Sequence, residues 1–182
     1  MTLGFVRHFK VDVKFDKILY STSQFNEIMQ YYDVATVIPN EVNLNGINWE
    51  KCFCSSLPRA VTTAKAIYKN EIITTDLLHE VPLPAFTNKE IVLPGLVWHW
   101  GGRVAWYYNK ISLLETRSQS NARADKIIEQ ILSAQHQNIL IVTHGFFMGV
   151  LLKKLYKLGF KGETDLVPKN GKLYILKNSD VG

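Results

Sequence analysis

The sequence predicts an α/β fold: a three-layer α/β/α sandwich with a mostly parallel central sheet and a small helical, aromatic insertion at about residues 86–117, near the expected pocket. Three observations lead there. Apolar strand-like runs alternate with stretches of helical period along most of the chain, the pattern of successive strand–helix units. The run Ile139-Leu140-Ile141-Val142 is apolar without interruption, as in a central strand covered on both faces. Three strand-to-helix junctions also carry a cation or an imidazole: Arg7-His8, Arg59 and His144. Ligands of open α/β sheets sit beyond the carboxyl ends of the strands, so these junctions can converge on one pocket.

Each element has a local reason. Leu3-Gly4-Phe5-Val6 reads as the first strand. Ser21-Thr22-Ser23-Gln24 is a capping box that opens a helix with Phe25, Ile28, Met29 and Tyr32 at helical spacing. Residues 39–48, rich in Asn with one Pro and one Gly, form a loop. A strand over Lys51–Ser56 leads into a helix over Pro58–Tyr68, with Pro58 in the first turn, where its missing N–H costs nothing. Glu71–Thr75 is a short β-branched strand, and Leu77-Leu78-His79-Glu80 runs on from it towards Pro82 and Pro84. Residues 86–117 hold three of the four tryptophans and the pair Gly101-Gly102 without clean periodicity, as an insertion with some helix. A helix from Ser120 places Ala124, Ile127, Ile128, Ile131 and Leu132 on one stripe. The strand Asn138–Thr143 and the helix Phe146–Leu158 follow, stopped at Gly159, and Leu173–Leu176 adds an edge strand.

With 182 residues and 47% hydrophobic content, one domain over residues 1–182 can bury a core without staples. The net charge of +5 favours anionic ligands, but Lys153, Lys154 and Lys157 lie on one solvated helix face, which argues against a nucleic-acid surface. No basic-then-apolar leader and no bilayer-length apolar run is present, so a cytoplasmic location without membrane attachment is expected. Cys52 and Cys54 share one strand face, badly placed for a disulfide and without partners for zinc, and are expected in the core.

Metal-free phosphoryl transfer needs a guanidinium fork for the phosphate, a neutral imidazole nucleophile and a proton donor for the leaving oxygen. Arg7 and Arg59 can be the forks, His8 and His144 the imidazoles and Glu80 the acid, all near predicted strand ends. An arginine in a helix's first turn opposes the macrodipole, which makes Arg59 easier to understand beside an anion. A zinc site built from His8, His144 and Glu80 is disfavoured by two arginines aimed at the same pocket.

These residues resemble the histidine phosphatase superfamily, which includes the cofactor-dependent phosphoglycerate mutases. The resemblance rests on four blocks in order: Val6-Arg7-His8, Ser55-Ser56-Leu57-Pro58-Arg59-Ala60-Val61-Thr62-Thr63-Ala64, Leu78-His79-Glu80 and Thr143-His144-Gly145. It implies that His8 is the nucleophile, that Arg7, Arg59 and His144 bind phosphate, and that Glu80 donates the proton. It further implies a metal-independent phosphomonoesterase without cofactor, acting on a small phosphorylated substrate. A mutase of the same fold and a non-catalytic phosphate-binding module are the alternatives. The chain departs from the family where glycine usually follows the nucleophile, since Phe9 and then Lys10 stand there. Phe9 is expected to narrow the pocket, re-aim the loop or wall the substrate, Lys10 to add charge, and Arg103 in the aromatic stretch to meet a second anion.

Overall fold

The computed structural model describes residues 1–15, 17–109 and 114–178. In chain order its elements are β1 (Thr2–Arg7), β2 (Lys10–Val11), β3 (Leu19–Ser21), α1 (Thr22–Val34), β4 (Val37–Ile38), β5 (Lys51–Ser55), α2 (Pro58–Ile67), β6 (Ile72–Thr75), β7 (Val92–Pro94), α3 (Gly95–Tyr107), α4 (Arg117–Ser133), β8 (Asn138–Thr143), α5 (Gly145–Lys157) and β9 (Leu173–Lys177). A single 3₁₀ turn, Asp76–Leu78, follows β6.

The central sheet runs β6-β5-β8-β1-β9, parallel except for β9 at the edge. The strand β8 is inserted between β1 and β5, which brings three distant junctions side by side. Val142 lies opposite both Val6 and Cys54, and Arg7 lies opposite Thr143. The residues that leave these strands, His8, Ser55 and His144, therefore emerge at one level of the sheet.

Strand alternation divides the core into two layers. Leu3, Phe5, Phe53, Ile139 and Ile141 face α4 and α5, where they meet Ile127, Ile131, Phe147 and Leu151. Val6, Cys52, Cys54, Leu140 and Val142 face the other way, towards Ala60 and Ala64 of α2 and Trp49. Each fully buried Val, Leu, Ile or Phe side chain among them contributes about 1.5–3 kcal/mol by leaving water. The Trp49 ring fills the space where a Cβ on Gly4 would stand, so β1 needs a glycine there. Both cysteines are free and buried, and burial pushes the Cys52 thiol up to about 12 and that of Cys54 up as well.

The capping box at α1 forms as expected, with Ser21 Oγ accepting from Gln24 N and the Gln24 side chain returning to Ser21 N. A second box, Thr116 with Gln119, starts α4 at Arg117, three residues before the expected Ser120. The short strands β2, β3, β4 and β7 are too brief for any period to reveal. They pair in two-stranded ribbons, β2 with β4 and β3 with β7. The glycines Gly101 and Gly102 do not break α3; they let it approach Phe86 and Leu83, where added Cβ atoms would collide. Among the described residues, no helix is long and apolar enough to cross a membrane.

Candidate active site

His8 follows β1, and its backbone N–H donates to Thr143 O at 3.0 Å. Its ring is 2% exposed, with Nδ1 at 2.6 Å from Phe9 O. A carbonyl can only accept, so Nδ1 carries the proton and Nε2 keeps its lone pair. Burial, and then the Arg59 charge, push the His8 pKa down to about 3; the Phe9 carbonyl opposes this and Arg7 adds to it. His8 is a neutral imidazole at physiological pH.

His144 lies beside it, ring centroids 5.0 Å apart. Arg59 Nε donates to His144 Nδ1 at 3.2 Å, which leaves the proton on Nε2, 2.8 Å from Ser55 Oγ. The ring is wholly buried, and burial together with Arg59 holds its pKa well below the ordinary value. Both ring nitrogens thus have protein partners, so His144 orients Arg59 as well as facing His8.

Arg59 stands in the first turn of α2, directly after Pro58. Its Nη1 donates to Asp33 Oδ1 at 2.9 Å, and its Cζ lies 5.3 Å from the Tyr32 ring centroid. The guanidinium side of this ion pair is 1% exposed and the carboxylate side 56%. Arg7 donates Nη1 to Pro168 O at 2.9 Å, while its buried Nε has no hydrogen-bond partner among the described residues. A Cβ on Gly145 would sit 3.1 Å from Arg7 Cζ, so the glycine after His144 makes room for this guanidinium. An orphaned buried donor beside a neutral imidazole suits an oxyanion.

Glu80 reaches the same corner from the segment after β6. Its Oε1 accepts from Val81 N and Phe147 N, both at 2.9 Å, and its Oε2 accepts from Phe146 N at 3.1 Å. The carboxyl group therefore sits on the first turn of α5, whose unpaired N–H groups attract negative charge. Arg7, His8, Arg59, Glu80 and His144 thus gather around the ends of β1 and β8.

The other three candidates take different places. In place of the substrate contact expected of it, the Phe9 ring is buried, 1% exposed; its N–H donates to Thr63 Oγ1 at 2.8 Å and its carbonyl serves His8. Lys10 is exposed on β2, opposite Ile38 of β4. Arg103 is turned inward, donating to Val81 O at 3.1 Å with Cζ 3.8 Å over the Phe146 ring. The aromatic stretch is divided: Trp98 stacks on Phe25 and bonds Tyr20 O, and Trp106 bonds Ser120 Oγ, both buried, whereas Trp100, Tyr107 and Tyr108 are exposed.

Sequence reasoning missed several members of the site. Ser55 lies inside the recognised second block, yet its bond to His144 depends on strand pairing. Asp33 carries no motif. Asn170 Nδ2 donates to His8 O at 2.7 Å from the loop before β9, which no local pattern singles out. Arg123 left a signal: it occupies a stripe position of α4, three after Ser120 and four before Ile127, where an apolar residue would be routine. Among the described residues, no three His, Cys, Asp or Glu side chains are grouped so as to hold a metal ion.

Arg59, buried, and Arg7, half-buried, thus stand with two histidines at the carboxyl edge of a mostly parallel sheet, a cationic corner of an α/β protein that suits an anion. The chain belongs to the histidine phosphatase superfamily (branch 1), whose sequence model matches residues 41–182. That match begins downstream of Arg7 and His8, in whose neighbourhood Phe9 departs from the family pattern. Among solved structures, the α-ribazole phosphatase of Shigella flexneri matches 98% of this chain and 92% of its own, at 19% identity and TM-score 0.59. A mycobacterial glucosyl-3-phosphoglycerate phosphatase in complex with VO3 matches 99% and 94%, at 16% identity and TM-score 0.59. The phosphoserine phosphatase of Entamoeba histolytica matches 96% and 89%, at 15% identity and TM-score 0.52. At these identities the likeness is one of fold. No curated protein matches the chain.

Proposed function

We propose that the protein is a phosphomonoesterase that works without a metal ion, through a phosphohistidine on His8. The observation that carries this is the His8 tautomer: Nδ1–H is tied to Phe9 O, and burial keeps the ring neutral, so Nε2 is an available nucleophile. The phosphate dianion sits between Arg7 and Arg59, satisfying Arg7 Nε and displacing Asp33 from Arg59. His8 Nε2 attacks phosphorus as the ester P–O bond breaks, and Glu80 gives a proton to the departing oxygen and is left as the carboxylate. Water then attacks the phosphohistidine, passes a proton to Glu80 and releases inorganic phosphate with His8 neutral again. Proton transfer of this kind contributes typically ~10²–10⁴ in rate.

The phosphatase activities of the structural neighbours support this reading, including one held with VO3. The substrate class we assign is a small phosphorylated molecule, handled by one domain without nucleic acid or membrane. Two buried free thiols fit a reducing compartment, and we place the protein in the cytoplasm.

The test is hydrolysis of p-nitrophenyl phosphate in EDTA, wild type beside His8→Ala, with acid-labile phosphoenzyme trapped on rapid denaturation. Turnover and trapped label are expected in the wild type and neither in the variant. Turnover that survives His8→Ala, or that chelation abolishes, rules the mechanism out.

A further inference from the structure

The chain on both sides of Glu80 is held by arginines from other elements. Arg123 of α4 donates Nη1 to Leu77 O at 2.9 Å and to His79 O at 2.7 Å. Its remaining donors grip Glu115, Nη2 at 2.9 and 3.0 Å and Nε at 3.2 Å. Arg103 of α3 donates to Val81 O at 3.1 Å, and Thr143 Oγ1 holds Leu78 O at 2.8 Å. Four carbonyls around Glu80 are therefore fixed by side chains from three elements.

The same two guanidinium groups touch the helix turn to which Glu80 is bonded. Arg123 Cζ lies 3.9 Å over the Phe147 ring, and Arg103 Cζ lies 3.8 Å over the Phe146 ring. Phe146 and Phe147 are the residues whose backbone N–H groups the Glu80 carboxyl accepts. Each arginine thus joins the chain beside Glu80 to the ring of the residue that holds its carboxyl group. Only a planar fork can stack on a ring with its face while donating from its edges.

We infer that Arg103 and Arg123 are positioning residues for Glu80, a paired brace that fixes its carboxyl group over the first turn of α5. Its catalytic consequence rests on the proposed role of Glu80 as proton donor; its geometry does not. Displacement of a reacting group by about 1 Å can cost ~10²-fold in rate, so such a brace would be felt in turnover.

The test uses Arg103→Met, Arg123→Met and the double variant Arg123→Met/Glu115→Gln, which leaves no unpaired charge where the ion pair was. Amide exchange of Phe146 and Phe147, measured by NMR relative to Leu151 and Leu152 of the same helix, is expected to rise at least ~10-fold, as in Glu80→Ala. Unchanged relative exchange in folded variants overturns the brace, whether or not the protein turns over any ester. In turnover, the variants should lose at least ~10-fold more kcat on an alkyl phosphate than on p-nitrophenyl phosphate, whose leaving group needs little protonation. Selectivity present in Glu80→Gln but absent from the arginine variants also overturns it. Absence of that selectivity in Glu80→Gln itself removes Glu80 as the acid, and amide exchange alone then decides the brace.

Discussion

Arg59 is the residue on which the site's resting state turns. Its Nη1 is engaged by Asp33, a half-exposed carboxylate standing where a phosphate oxygen could bind. Although the Arg59 side of this pair is buried, the Asp33 side is open to water and screened, so releasing it costs the ligand on the order of 1 kcal/mol. Asp33→Asn should therefore lower KM for a phosphomonoester, and Ki for inorganic phosphate, by roughly two- to five-fold with kcat nearly unchanged. A rise in both constants would mean that Asp33 orients the guanidinium instead of competing with the anion. His144 shows the same economy at the residue scale: Arg59 on Nδ1 and Ser55 on Nε2 fix its tautomer without any charged partner of opposite sign.

At the scale of elements, α3 and α5 show why glycine in a helix has no single meaning. A Cβ at Gly101 of α3 would run into the Phe86 ring, itself 4.8 Å from the Trp98 ring centroid. Gly149 of α5 is exposed and has nothing within 4 Å of an added Cβ. Alanine is favoured over glycine in a helix by about 0.8–1 kcal/mol, while overpacking costs about 1–3 kcal/mol. Gly149→Ala should therefore raise the urea midpoint and Gly101→Ala lower it. The same sign for both substitutions would refute this account of the Gly101-Gly102 pair. The capping boxes at Ser21 and Thr116 act at this scale too, since they decide where α1 and α4 begin.

For the whole molecule, two histidines buried in neutral form couple folding to pH. On unfolding, each recovers its ordinary pKa of about 6.5, so the unfolded chain binds more protons than the folded one in acid. For His8 the folded pKa is about 3, and for His144 it is also depressed. Their contribution is thus intact above about pH 6.5 and is lost progressively as pH falls towards those folded values. The slope is up to about 1.4 kcal/mol per pH unit for each histidine. Urea denaturation between pH 7 and pH 5, before most carboxylates titrate, should show this decline in the wild type and a shallower one in His8→Asn. A flat wild-type profile over that window would contradict the buried neutral state.

The sequence by itself determined the sheet-forming runs, the helices with apolar stripes and the four blocks that carry Arg7, His8, Arg59, Glu80 and His144. These were legible because a period of two or 3.6 residues, or a charge at the end of an apolar run, is a local property. Only the tertiary structure decided that β8 lies between β1 and β5, which sets His8 against His144 and Ser55. It alone placed Asp33 on Arg59, buried the Phe9 ring and turned Arg103 away from solvent towards Val81 and Phe146. The physical reason is range: a side chain's hydrogen-bond partner is chosen by whichever segment packs against it, and these partners lie 22 to 89 residues apart along the chain.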